Sequence, residues 1–200
     1  HSGIFDLSFM RCVPNIIVMA PSDENETRQM LYTGYTFPGP AAIRYPRGKG
    51  PGTIIDEEMT ALEIGKARQL RKGARVAILA FGSMVNPART VADQLDASLV
   101  DMRFVKPLDE ALIQDMAINH ELIVTIEENS ILAGAGSGVS EFLHGQGLVV
   151  DILNLGIPDR FISQDKPDNM LSECGLNVEG ILESIRDRIS EVENKSSLNL

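Results

Sequence analysis

The chain has 200 residues, 44% hydrophobic and 23% charged, the ordinary balance of one large folded domain or two small ones. A net charge of −10 with no basic stripe interleaved with aromatics argues against nucleic acid as a partner, and no apolar run approaches the roughly 20 residues that a bilayer crossing needs. Cys12 and Cys174 lie far apart without metal-ligand spacing, so neither a disulfide framework nor a zinc site is expected, and the reduced cytosol is the expected compartment.

The chain opens on His1 with neither a basic nor an apolar leader, so a cut N-terminus is expected. Asn15 to Ala20 predicts a short buried strand closed by Pro21. Asp23 with Glu26 three residues on makes a capping box for a helix reaching about Tyr35, where Gly34 and Pro38-Gly39-Pro40 stop it. Ala41 to Arg44 is a second strand, feeding the turn Tyr45-Pro46-Arg47-Gly48. Residues 51–60 are rich in Gly, Pro and acid without periodicity and predict a linker between a first unit, residues 1–50, and a second, residues 61–193.

Beyond the linker the pattern alternates. Strands are predicted at 75–81, 98–102, 122–126 and 148–154, and helices at 85–95, 108–119, 139–144 and 178–192, with residues 194–200 a flexible tail. Such alternation predicts right-handed βαβ units, hence an α/β fold with a mostly parallel sheet flanked by helices.

Four features carry possible chemistry. His1, beside Ser2 and Gly3, suits a general acid/base or a phosphate contact, against the plainer reading of an uninformative terminal residue. Arg44 and Arg47 lie at a strand end, where open α/β sheets present ligand loops; their guanidinium groups suit phosphate or carboxylate, or an ordinary ion pair. Gly134-Ala-Gly-Ser-Gly138 lacks the glycine at position 139 and the lysine that phosphate loops require, so it is read as a turn that lets a helix pack closely on the sheet. Glu127 and Glu128 could be paired catalytic acids, with solvated or interdomain carboxylates the commoner outcome.

Taken together, these strings resemble one family. His1-Ser-Gly-Ile-Phe-Asp-Leu-Ser-Phe-Met-Arg-Cys-Val-Pro14, Met19-Ala-Pro-Ser-Asp-Glu-Asn-Glu26 and Arg44-Tyr-Pro-Arg-Gly48 are similar to the end of the pyrimidine-binding domain of the 1-deoxy-D-xylulose 5-phosphate synthases, transketolase-type enzymes. Asp101-Met-Arg-Phe-Val-Lys-Pro-Leu-Asp109, Thr125-Ile-Glu-Glu-Asn129, Gly134-Ala-Gly-Ser-Gly-Val139 and Leu153-Asn-Leu-Gly-Ile-Pro-Asp159 resemble that family's transketolase C-terminal domain.

The resemblance implies a thiamine-diphosphate- and Mg2+-dependent condensation of pyruvate with D-glyceraldehyde 3-phosphate, CO2 release, a homodimer and a bacterial cytoplasmic setting. It matches His1 to an active-site histidine and Arg47 to the arginine that binds the acceptor's phosphate. The Gly-Asp-Gly motif and its asparagine, which hold the metal and diphosphate in that family, do not occur here, nor does the glutamate that protonates the cofactor. The chain is therefore expected to be a C-terminal third, inactive alone. Other thiamine-dependent relatives, or a non-catalytic assembly module, are the competing readings.

Overall fold

In the computed structural model, which describes residues 3–198, the chain begins with a short helix, α1 (Asp6–Met10), and enters strand β1 (Ile17–Met19), buried at every position. Helix α2 (Glu24–Thr36) starts where the capping signal puts it: Asp23 is extended, and its side chain accepts the Glu26 N–H at 2.8 Å. Strand β2 (Ala41–Ile43) returns parallel to β1, with Val18 opposite Ala42. Gly34 lets α2 lie against it, since a Cβ there would stand 3.3 Å from the Ala41 methyl.

After the irregular stretch that follows, the chain forms β3 (Arg68–Arg71), β4 (Val76–Ala80), a 3₁₀ turn at Gly82–Met84, α3 (Val85–Leu95), β5 (Ser98–Asp101), β6 (Phe104–Lys106) and α4 (Glu110–Asn119). Then come β7 (Leu122–Ser130), α5 (Ala135–Gly145), β8 (Asp151–Ile157), α6 (Pro167–Glu173) and α7 (Val178–Leu198). The larger sheet has the order β3-β5-β4-β7-β8, parallel throughout except for the antiparallel edge strand β3. Strand β4 is an unbroken apolar run because both its faces are covered. Val76, Ile78 and Ala80 pack with α3 and α7, whereas Ala77 and Leu79 pack with α1, α4 and α5. The result is a helix–sheet–helix sandwich.

The smaller sheet, β2-β1-β6, draws its third strand from beyond the linker: β6 runs antiparallel to β1, with Met19 opposite Phe104. Ile17, Met19, Met30 and Phe104 form its core.

Several predicted elements shift. The helix expected at 139–144 begins at Ala135, so the glycine run is its first turn and not a loop before it. The strand expected at 148–154 lies at 151–157, because Gly147, at φ +69°, and the Leu148 N–H to Leu143 O bond take up residues 147–150 in closing α5. The strand expected to stop at Ile126 continues to Ser130, and α7 runs on to Leu198 where a helix ending at Val192 was expected. Strands β3 and β6 and helices α1 and α6 carry no clear periodicity and are supplied by the structure.

Candidate functional site

The larger sheet reverses its winding at β4: the chain leaves this strand for β5 on one side and later adds β7 on the other. Ligands of open α/β sheets bind outside the carboxyl ends of the strands at such a switch point. Here that crevice receives residues of the first unit. Ser130 N–H donates to Ile4 O at 2.7 Å, Asn129 Oδ1 accepts the Leu7 N–H at 3.2 Å, and Leu7 is buried. Arg11 continues the contact, donating to the carbonyls of Ala133 and Gly134 at 2.8 and 2.9 Å and pairing with Glu141 at 2.6 Å.

The two arginines of the predicted ligand turn divide. Arg44 turns inward: Nη2 donates to Glu128 O at 2.6 Å, Nε faces the Asp6 oxygens at 3.3 and 3.4 Å, and Nη1 lies 3.8 Å from Glu128 Oε2. The ion-pair reading of Arg44 therefore holds. Arg47 is exposed in an open bend three residues on and enters no ion pair among the described residues. His1 lies outside the described residues.

Glu127 and Glu128 do not act as a pair, because successive strand side chains point to opposite faces. Glu128 accepts from Ser83 Oγ at 2.6 Å and faces Arg44, the interdomain role. Glu127 is buried and caps α5, its two oxygens accepting the Ala135 and Gly136 N–H groups at 2.8 Å each. The amides that a phosphate loop would offer a ligand are thus already engaged by the protein's own carboxylate. Burial pushes the Glu127 carboxyl up to about 7, against the opposing pull of those two N–H groups, Arg11 and Asn129. Strand alternation could have separated the two glutamates in the sequence; nothing there foretold that Arg11 and Asn129 would join the site.

A second buried ionic cluster joins the two units on the far side of β1. Arg103 pairs with Glu26 at 2.6 Å, and Arg68 lies 3.4 Å from Glu26 and 3.5 Å from Asp101. Asp101 accepts from Ser22 Oγ at 2.8 Å. Burial raises its carboxyl to about 6; Ser22 opposes that rise, Glu26 adds to it, and the two arginines oppose it.

Among the described residues no group of three or more His, Cys, Asp or Glu side chains could hold a metal ion. The carboxylates at this site are committed, Asp6 and Glu128 to Arg44 and Glu127 to the start of α5. They do not fit Mg2+, and no step through Mg2+ or thiamine diphosphate is derived from them. No helix among the described residues is long and apolar enough to cross a membrane.

Residues 65–181 match the family described as transketolase, C-terminal domain, and residues 1–53 match transketolase, pyrimidine binding domain. The chain is similar to 1-deoxy-D-xylulose-5-phosphate synthases from Vibrio campbellii (55% identical over 96% of the chain), Pseudomonas aeruginosa (54% over 94%) and Thioalkalivibrio sulfidiphilus (54% over 98%). It spans only 30 to 31% of their length. Among solved structures it resembles a split-gene transketolase, described as an inactive beta4 tetramer, with a TM-score of 0.85 at 30% identity, covering 94% of this chain and 62% of that one. It shares the fold of transketolase from Campylobacter jejuni, with a TM-score of 0.70 at 20% identity, covering 94% of this chain and 28% of that one. The chain therefore belongs to the transketolase family, carrying its C-terminal domain and pyrimidine-binding-domain sequence in a form similar to the C-terminal part of bacterial 1-deoxy-D-xylulose-5-phosphate synthases.

Proposed function

We propose that this chain is the C-terminal part of a bacterial, cytoplasmic 1-deoxy-D-xylulose 5-phosphate synthase, which condenses pyruvate with D-glyceraldehyde 3-phosphate and releases CO2. Residues 1–50 close its pyrimidine-binding domain, 51–60 link and 61–193 form its C-terminal domain, with 194–200 a tail that begins within the last turns of α7. The observation that carries this reading is identity of 54 to 56% to synthases across both segments. Thiamine diphosphate with Mg2+, held mainly by sequence outside this chain, would supply the electron sink for decarboxylation when bound. The homodimer of the family is part of the same reading.

In it, the Arg47 guanidinium binds the acceptor's phosphate. Its exposure supports this, since a planar cation without a partner among the described residues can give two parallel N–H donors to phosphate oxygens. His1 moves a proton to or from a substrate oxygen, an imidazole having a pKa of about 6.5. The chain alone has no activity, a view supported by the description of the similar split-gene chain as inactive.

The test is pyruvate-dependent consumption of D-glyceraldehyde 3-phosphate, with thiamine diphosphate and Mg2+, by the full-length protein and by residues 1–200 alone. Activity confined to the full-length protein is expected. A full-length protein that took its two-carbon unit from a ketose phosphate and ignored pyruvate would establish a transketolase instead.

A further inference from the structure

Arg44 touches three separate segments. Its own backbone N–H continues the small sheet, donating to Met19 O at 2.8 Å, and so fixes the start of the turn that carries Arg47. Its Nε faces both oxygens of Asp6, and Nη2 reaches Gly3 O at 3.4 Å, so it grips residues 3–6, which adjoin His1 in sequence. The same Nη2 donates to Glu128 O at 2.6 Å on β7, and Glu128 is itself held by Ser83 from the 3₁₀ turn after β4.

The side chain is only 12% exposed, and its partners Asp6 and Glu128 are 29% and 20% exposed, so little water competes for these contacts. A forked guanidinium spreads its donors over three nitrogens in a fixed plane and can span a carboxylate and a carbonyl that lie well apart, whereas the donors of an ammonium all radiate from one nitrogen on a flexible stem. Helix α1 has other anchors on the second unit, through Leu7 with Asn129 and Arg11 with Glu141. What Arg44 adds is the relation between residues 3–6 and the Arg47 turn.

We propose that Arg44 is a positioning residue: it registers the segment adjoining His1 and the phosphate-binding turn against the end of β7, so that the C-terminal domain sets the geometry of acceptor binding. The inference rests on the synthase reading above. A misplacement of about 1 Å can lower a rate by roughly 100-fold without removing any reacting group.

The experiment uses the full-length protein, with kcat and KM for D-glyceraldehyde 3-phosphate and calorimetric binding of thiamine diphosphate with Mg2+. Arg44→Ala is expected to raise the acceptor KM and lower kcat, reducing kcat/KM by roughly 10- to 100-fold, while cofactor binding is unchanged. Arg44→Lys should recover only part of the loss. Arg75→Ala, which removes ion pairs with Glu121 and Glu193 at the opposite end of the sheet, should keep wild-type constants.

Wild-type kcat and KM in Arg44→Ala, or full recovery by Arg44→Lys, overturns the proposal. If Arg44→Ala does not fold, Asp6→Asn and Glu128→Gln decide: a raised acceptor KM in either supports positioning, and wild-type constants in both overturn it. A wild-type protein without pyruvate-dependent activity refutes the synthase reading itself and this inference with it.

Discussion

Gly136 donates its backbone N–H to Glu127 Oε1 at 2.8 Å, and a Cβ on that glycine would collide with Thr125 Oγ1 from the same strand. Helix α5 can therefore seat its first turn on β7 only with glycine at this position. Gly136→Ala is expected to destabilise the chain by about 1–3 kcal/mol, the usual cost of overpacking. Gly145, at the other end of α5, has open space where a Cβ would go, so Gly145→Ala should be neutral or stabilise by up to about 1 kcal/mol. Urea denaturation of the two variants side by side measures the contrast.

The buried carboxyl groups make stability depend on pH. Glu127, raised to about 7, and Asp101, raised to about 6, keep a proton in the folded chain that the unfolded chain has already released. Their contribution is fully favourable below the ordinary carboxylate pKa and is lost as pH rises through the folded values. Glu127→Gln should flatten the decline between about pH 5 and pH 8, and Asp101→Asn should flatten its lower part. Urea midpoints across that range check this, and an unchanged slope in both variants would show that these groups do not titrate as their burial requires.

Arg103 faces a Glu26 side chain that is only 4% exposed, and Glu26 Oε2 has no hydrogen-bond partner among the described residues. Arg103→Ala should destabilise by less than the roughly 3–5 kcal/mol of a fully isolated buried charge, because Arg68 remains 3.4 Å from Glu26. The double variant Arg103→Met with Glu26→Met should be less destabilised than Arg103→Ala alone, since no unpaired charge then stays buried. A double-mutant cycle by chemical denaturation gives the answer.

In the full-length protein, Arg47→Ala should raise the KM for D-glyceraldehyde 3-phosphate by roughly 10- to 150-fold, the loss of one charge-assisted contact worth about 1.5–3 kcal/mol. His1→Ala should instead lower kcat by about 100-fold or more, as loss of a general acid/base does. Steady-state kinetics with the acceptor varied at saturating pyruvate separates the two. An unchanged acceptor KM in Arg47→Ala would remove the phosphate-binding role.

Much of the frame was legible because burial imposes its periodicity directly on the residues. The unbroken apolar run of β4 announces a strand covered on both faces, Asp23 with Glu26 marks the start of α2, and the spacing of Ile181, Leu182 and Ile185 marks the buried face of α7. Strand β3 carries no such signal because Arg68-Gln-Leu-Arg71 is a half-buried edge whose arginines pair with acids elsewhere in the chain, Arg68 with Asp101 and Arg71 with Asp96. Three-residue β6 exists as a strand only through its pairing with β1.

The sequence by itself determined the α/β class and most strand and helix positions, because propensity, capping and apolar periodicity act within a dozen residues, and its motif strings carried the resemblance to the family. Only the tertiary structure decided that Arg44 is engaged while Arg47 stays exposed, that Glu127 faces α5 while Glu128 faces Arg44, and that the glycine run is a helix start filled by a carboxylate. Arg44 depends on a partner far away in the chain, Glu128, 84 residues on, whereas Glu127 meets the Ala135 and Gly136 N–H groups 8 and 9 residues on only because α5 packs back on β7. A charge or a buried N–H must be matched by whatever the fold brings beside it, and short-range sequence pattern carries no record of that neighbour.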